Sequence, residues 1–172
     1  MRTLFVFFLC SLLLACSSQQ TKPSPTIANQ TIEVLREQRL ITSGQPTIED
    51  LNRLQAEGVT TIISLRTETE NSGFDEASEV TNRGMRFISM PISGKTDITS
   101  NKAEELNRIL EQTDGKVLLH CASGNRVGAM VALIANTQGD SPEQALHLGK
   151  QAGLGSLQTT VEPLLQTKCE NC

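Results

Sequence analysis

Val117-Leu118-Leu119-His120-Cys121-Ala122-Ser123-Gly124-Asn125-Arg126-Val127-Gly128 is the stretch whose reading decides the fold. A short apolar run, a group of small residues, and a segment that is apolar almost all round over 127–135 read in that order as buried strand, tight loop and buried helix. A cysteine at a strand's carboxyl end, facing the amides of a helix N-terminus, sits where a thiol is most easily ionised and an oxyanion most easily held. Ala122, Ser123 and Gly124 are small enough for backbone amides to converge on an anion, Asn125 completes the loop, and Arg126 adds a planar fork suited to phosphate-like groups. In that field Cys121 is expected to have a lowered pKa and to act as a thiolate. His120 is expected to orient the loop through a hydrogen bond rather than to serve as a base.

Strand and helix signals alternate outward from this loop. Residues 31–41 carry Ile32, Val34, Leu35, Leu40 and Ile41, which fit either an opening strand or a short helix, and 42–47 read as a turn. Thr47 with Asp50 forms a capping box for a helix that turns Ile48, Leu51 and Leu54 inward and ends at Gly58. A strand is predicted over 59–65, ending at Arg66, whose guanidinium is expected to form a plain salt bridge; the acidic stretch with Glu68 and Glu70 reads as a solvated loop. A helix over 74–83, a strand over 85–91 and a loop over 92–97 follow. Thr99 or Ser100 then caps a helix to about residue 112, and Asp114-Gly115 turns the chain into the strand 116–120. Ser141-Pro142-Glu143-Gln144 is a strong helix start, and a last helix is expected near 157–167. The alternation predicts an α/β domain over 31–168, with a central, mostly parallel sheet flanked by helices. In such sheets ligands bind beyond the carboxyl ends of strands, where His120-Cys121 falls.

The termini carry separate signals. Met1-Arg2, an apolar run over 4–14 and Leu13-Leu14-Ala15-Cys16 resemble a bacterial lipoprotein signal: residues 1–15 removed, lipid on Cys16, and a flexible tether over 16–30 with a reach of roughly 20 Å. Ser17 after the lipidated residue fits outer-membrane sorting, so the expected location is the cell envelope, lipid-anchored at the periplasmic face of the outer membrane. Cleavage would remove Arg2 and leave 14 basic against 19 acidic residues, with no basic run, which gives no electrostatic case for nucleic acid. The membrane link would be the lipid. With no Trp and no Tyr, aliphatic side chains fill the core and a deep aromatic-lined pocket is not expected. Cys169 and Cys172, in a 169–172 tail, suit a local disulfide in an oxidising compartment; the alternative is that they exchange with Cys121. One such pair makes no complete zinc set, and no metal or cofactor is expected.

His-Cys-x-x-Gly followed by Arg resembles the active loop of the protein tyrosine and dual-specificity phosphatase superfamily. Together with Ser43-Gly44-Gln45-Pro46 and Ser64-Leu65-Arg66, the sequence resembles the bacterial beta-lactamase hydrolase-like, phosphatase-like domain family over about 32–157. The resemblance implies a phosphatase-type α/β fold, a small oxyanionic substrate, Cys121 as nucleophile and Arg126 as phosphate clamp through a phosphocysteine intermediate. A phosphatase also needs a proton donor for the leaving oxygen, for which Asp97, in the loop 92–97, is the best candidate, with Glu68 and Glu70 as weaker alternatives. Ser43 and Gln45 either line the site or serve the turn. Two features depart from the superfamily pattern. Four residues, not five, separate Cys121 from Arg126, a spacing similar to rhodanese sulfurtransferases, which carry a persulfide on the cysteine. Val127 stands where a hydroxyl residue usually helps the thiolate leave, which implies slow turnover. A noncatalytic anion-binding module of the envelope is the third reading.

Overall fold

The computed structural model describes residues 39–166. The expected signal segment, the expected lipidation site Cys16, the expected tether, residues 31–38 and the Cys169/Cys172 tail lie outside the described residues. Four strands, β1 (Leu40–Ser43), β2 (Val59–Ser64), β3 (Arg86–Ser89) and β4 (Lys116–His120), form one parallel sheet in the order β1-β4-β2-β3. The helices are α1 (Ile48–Ala56), α2 (Glu76–Asn82), α3 (Ser100–Glu111), α4 (Asn125–Thr137), α5 (Pro142–Gln151) and α6 (Gln158–Gln166). Parallel neighbours need crossovers, and helices supply them. The α/β fold with a parallel central sheet is as the strand-loop-helix pattern predicts.

β4 runs through the middle of the sheet, and its last four residues are each 1% exposed or less. Alternation along it divides the core. Val117 and Leu119 join Ile63, Leu106 and Met130 on the side covered by α3 to α6, while Leu118 joins Leu51, Leu54, Ile62 and Val80 on the side covered by α1 and α2. The same alternation sends Cys121 into the larger cluster and His120 toward α2.

The predicted caps are present. Thr47 and Asp50 form a capping box on α1, Ser141 and Gln144 form one on α5, and the Thr99 side chain accepts from Lys102 N at the start of α3. Asp75 caps α2, so that helix begins at Glu76 rather than near 74. Thr42 and Ser43 belong to β1, not to the turn, because they pair in register with Leu119 and His120. α4 begins two residues before the apolar run: Gly124, at φ +86°, takes the left-handed conformation and turns the chain so that Asn125 and Arg126 are already helical.

α4 and α5 touch at backbone distance. A Cβ on Gly128 would lie 2.0 Å from Leu154 N and 2.5 Å from Gly149 O, and one on Gly149 would lie 2.7 Å from Gly128 O. Backbone cannot yield as a flexible side chain can, so Gly128→Ala should cost about 3 kcal/mol by forcing the helices apart. Urea denaturation of the variant beside wild type measures it, and an unchanged midpoint would refute the close-contact account.

Candidate active site

One row of residues sets the site. Ser43, His120, Ser64 and Ser89 are register partners across the sheet, so all four strands end level and their following loops meet at one edge. The β1 turn therefore abuts the loop after β4. Gln45 N donates to Ala122 O at 3.1 Å, and a Cβ on Gly44 would stand 3.0 Å from the same oxygen. Cys121 follows directly on β4, wholly buried, and its Sγ accepts a hydrogen bond from Gly124 N at 3.1 Å. Ala122 and Ser123 are exposed, and Gly124 is buried.

Asn125, grouped with the loop from sequence, is the first residue of α4, and its side chain is committed elsewhere. Oδ1 accepts from Gly155 N at 2.8 Å and Leu157 N at 3.3 Å, and Nδ2 donates to Ser156 Oγ at 2.7 Å. The side chain thus pins the turn before α6 to the start of α4. The backbone amides at the start of α4 need no intrahelical acceptor and are free in principle for an anion.

Arg126 gathers three loops. Its Nη1 donates to Leu65 O at 3.2 Å, Ile92 O at 2.9 Å and Glu70 Oε1 at 2.6 Å, and its Nη2 donates to Glu70 Oε2 at 2.6 Å. This is the fork-to-fork geometry that makes Arg–carboxylate pairs strong. The hydrogen bonds from Arg126 hold the Glu70 carboxyl down at about 2, with Thr67 N adding to the effect. Glu70 in turn holds the Arg126 guanidinium above its ordinary value; burial opposes this, and Cys121, within hydrogen-bonding reach of the guanidinium, adds to it. Sequence reasoning assigned Glu70 to a solvated loop. The available signal was its place four residues after Arg66 in a stretch bound to the end of β2.

Behind the loop lies a buried polar chain. His120 Nδ1 is 3.4 Å from Cys121 O, and Nε2 is 3.0 Å from Glu76 Oε1, out of line for a good hydrogen bond. Gln45 Nε2 donates to Glu76 Oε1 at 2.9 Å, Gln45 Oε1 accepts from Arg66 Nη1, and Arg66 Nε stands 3.7 Å from Glu70 Oε2. The Arg66 ion pair is therefore as expected, and Gln45 belongs to the site as well as to its turn. Glu76 went unnoticed, because an acid in a helix's first turn reads as a complement to the dipole.

Asp97 is half-buried, and its Oδ2 accepts from Ser93 N at 2.7 Å across the loop after β3. That loop reaches the site at its other end, through Ile92 O on Arg126. A thiol, a guanidinium fixed beside it and a helix N-terminus together can hold a tetrahedral oxyanion and attack its central atom.

Known proteins share this plan. The family model described as DSP-PTPase phosphatase fused to NAD+ kinase matches residues 19–165. Beta-lactamase hydrolase-like proteins of Xylella fastidiosa and Agrobacterium fabrum are 33% and 32% identical over 100 residues, 56% of this chain and 23% of theirs; the chain thus spans about a quarter of their length. Among solved structures, a candidate phosphatase from Neisseria meningitidis superposes with a TM-score of 0.63 at 20% identity, over 73% of this chain and 92% of that one. Tk-PTP in its active form gives 0.60 at 20% identity, over 76% and 93%. The parallel sheet and its terminal loop are thus a fold that phosphatases use, and the chain belongs to the family of DSP-PTPase phosphatases fused to NAD+ kinase.

Proposed function

We propose that this protein hydrolyses a small phosphorylated substrate through a phosphocysteine on Cys121. The observation that carries the reading is the fixed guanidinium: Glu70 and two carbonyls hold Arg126 from behind, next to a thiol that already accepts the Gly124 amide. The part of the guanidinium not turned to Glu70 and the carbonyls lies within reach of Cys121 and is offered to the phosphate, and the amides at the start of α4 serve its other oxygens. The Cys121 thiolate attacks phosphorus, the bond to the leaving oxygen breaks, and that oxygen takes a proton from Asp97. Ser93 N, donating to Oδ2, holds the Asp97 carboxyl in place across the loop after β3. Water, giving a proton to the Asp97 carboxylate, then attacks the phosphorus of the phosphocysteine; the S–P bond breaks, and phosphate is released with the thiolate restored. Val127 offers no hydroxyl to the departing thiolate, so this second step limits the rate. The lipid on Cys16 and the tether over 16–30 would hold the domain at the periplasmic face of the outer membrane.

The four-residue spacing from Cys121 to Arg126 favours one alternative, sulfur transfer through a persulfide. The mass of the Cys121 adduct separates the two. After brief incubation with phenyl phosphate, wild-type protein should gain the mass of one phosphoryl group, and Cys121→Ser should gain nothing and fall to the buffer rate. Gain of one sulfur from a polysulfide, with no phosphoryl adduct, would replace the phosphatase reading. Asp97→Asn should lower kcat about 100-fold; an unchanged kcat would assign the acid elsewhere.

Glu70 supplies a prediction on stability. Its carboxyl lies near 2 in the fold against an ordinary 4.5, so the pair with Arg126 stabilises the protein fully above pH 4.5 and progressively less as pH falls toward 2. Glu70→Gln should lose on the order of 2 to 3 kcal/mol at pH 7 and show a shallower loss of stability through that window. Denaturant titrations at several pH values read both effects, and parallel curves for the two proteins would refute the pairing.

A further inference from the structure

A polar cleft of about 140 Å³ opens at the carboxyl ends of β2 and β3, on the sheet face covered by α1 and α2. Arg66, Glu76, Ser64, Ser89 and Phe87 line it, and so does Glu70, whose carboxylate binds Arg126. One side chain therefore separates this cleft from the proposed phosphate clamp. Arg66 is only 8% exposed, and its Nη1 is satisfied by Gln45, but its Nε has no hydrogen-bond partner among the described residues. Glu70 Oε2, 3.7 Å away, is too far to serve as one. A buried guanidinium N–H without an acceptor costs free energy that a ligand oxygen would recover.

The other groups in the cleft restrict what that oxygen belongs to. Carboxylates of Glu70, Glu76 and Glu68 line the same space, so a second anion would be repelled. An ammonium group would satisfy the carboxylates and leave Arg66 Nε empty. A hydroxyl does both: it accepts from Nε and donates to a carboxylate. Phe87 offers an apolar surface for the carbon side of such a group. We infer that the cleft is the subsite for an uncharged, hydroxyl-bearing moiety of the phosphorylated substrate, a short polyol or a single sugar ring. This inference rests on the phosphatase reading for the position of the phosphate.

The test is an NMR titration of Cys121→Ser full-length protein with three probes: glucose 6-phosphate, phenyl phosphate and methyl glucoside. Both phosphates should shift the amides of 122–128, and glucose 6-phosphate alone should also shift the Ser64 and Ser89 amides and the Arg66 Nε–H. Ser89→Val, which fills the cleft with methyl groups, should weaken glucose 6-phosphate about tenfold relative to phenyl phosphate. Arg66→Lys, which keeps the charge but loses Nε–H, should do the same. Shifts from glucose 6-phosphate confined to 122–128, or equal weakening of both phosphates, would overturn the subsite and leave the cleft to water. If neither phosphate perturbs 122–128, the phosphatase reading fails instead. Methyl glucoside then decides the subsite alone: shifts at Ser64 and Ser89 sustain it, and their absence refutes it.

Discussion

Arg126 is the point at which the loops after three strands are tied together. Its guanidinium reaches Leu65 O and Glu70 after β2 and Ile92 O after β3, from the first turn of the helix that follows β4. A planar fork with fixed donors can satisfy acceptors on two sides at once, which a point charge on a flexible stem cannot. The loops at the sheet edge are therefore placed by one side chain and not by their own contacts. The same arrangement decides which part of the guanidinium is spent on structure and which remains for a ligand.

The level ending of the strands makes this convergence possible. Because Ser43, His120, Ser64 and Ser89 share one row, the chain leaves the sheet at one height in four places. Pleating then separates neighbouring residues of β4 to opposite faces. Cys121 enters the large apolar cluster under α3 to α6, and His120 enters the polar chain of Glu76, Gln45 and Arg66 on the other face. The loop is gripped from both sides of the sheet, apolar below the thiol and hydrogen-bonded behind its carbonyl.

Much of this was legible from local pattern. The strand 116–120, the capping residues Thr47, Thr99 and Ser141, and the position of Cys121 at a strand's end all follow from rules that act over a few residues. What escaped depends on distance along the chain. Glu70 meets Arg126 across 56 positions, and Glu76 meets His120 only because α2, packed against β3, lies on the same side of the sheet. An isolated acid in a polar stretch carries no mark of a distant cation, so Glu70 read as solvated. Asn125 misled for the opposite reason: its neighbours are loop residues, but Gly124 at positive φ starts the helix before it and frees its side chain for the turn at 155–157.

The energetics of the polar chain explain why it is worth keeping in so small a domain. Buried or half-buried charges give less stability than well-packed apolar side chains of similar volume, because each must first lose its water. Apolar residues replacing the whole set together, Arg126 and His120 included, would therefore suit the fold about as well, whereas loss of Glu70 alone leaves the Arg126 charge without its partner. What apolar packing does not supply is direction: a hydrophobic contact holds a group at a distance without fixing its orientation, whereas each donor and acceptor here fixes a plane. In the proposed reaction Arg126 presents one edge to the phosphate while the other is occupied, and a carboxylate aligned with its fork does that. Glu70 in turn stands beside Arg66, which meets Gln45, which meets Glu76 beside His120. The alternation of donors and acceptors passes orientation from the base of the sheet edge to the thiol loop, so the chain's composition follows from the aim of one guanidinium and not from the demands of folding.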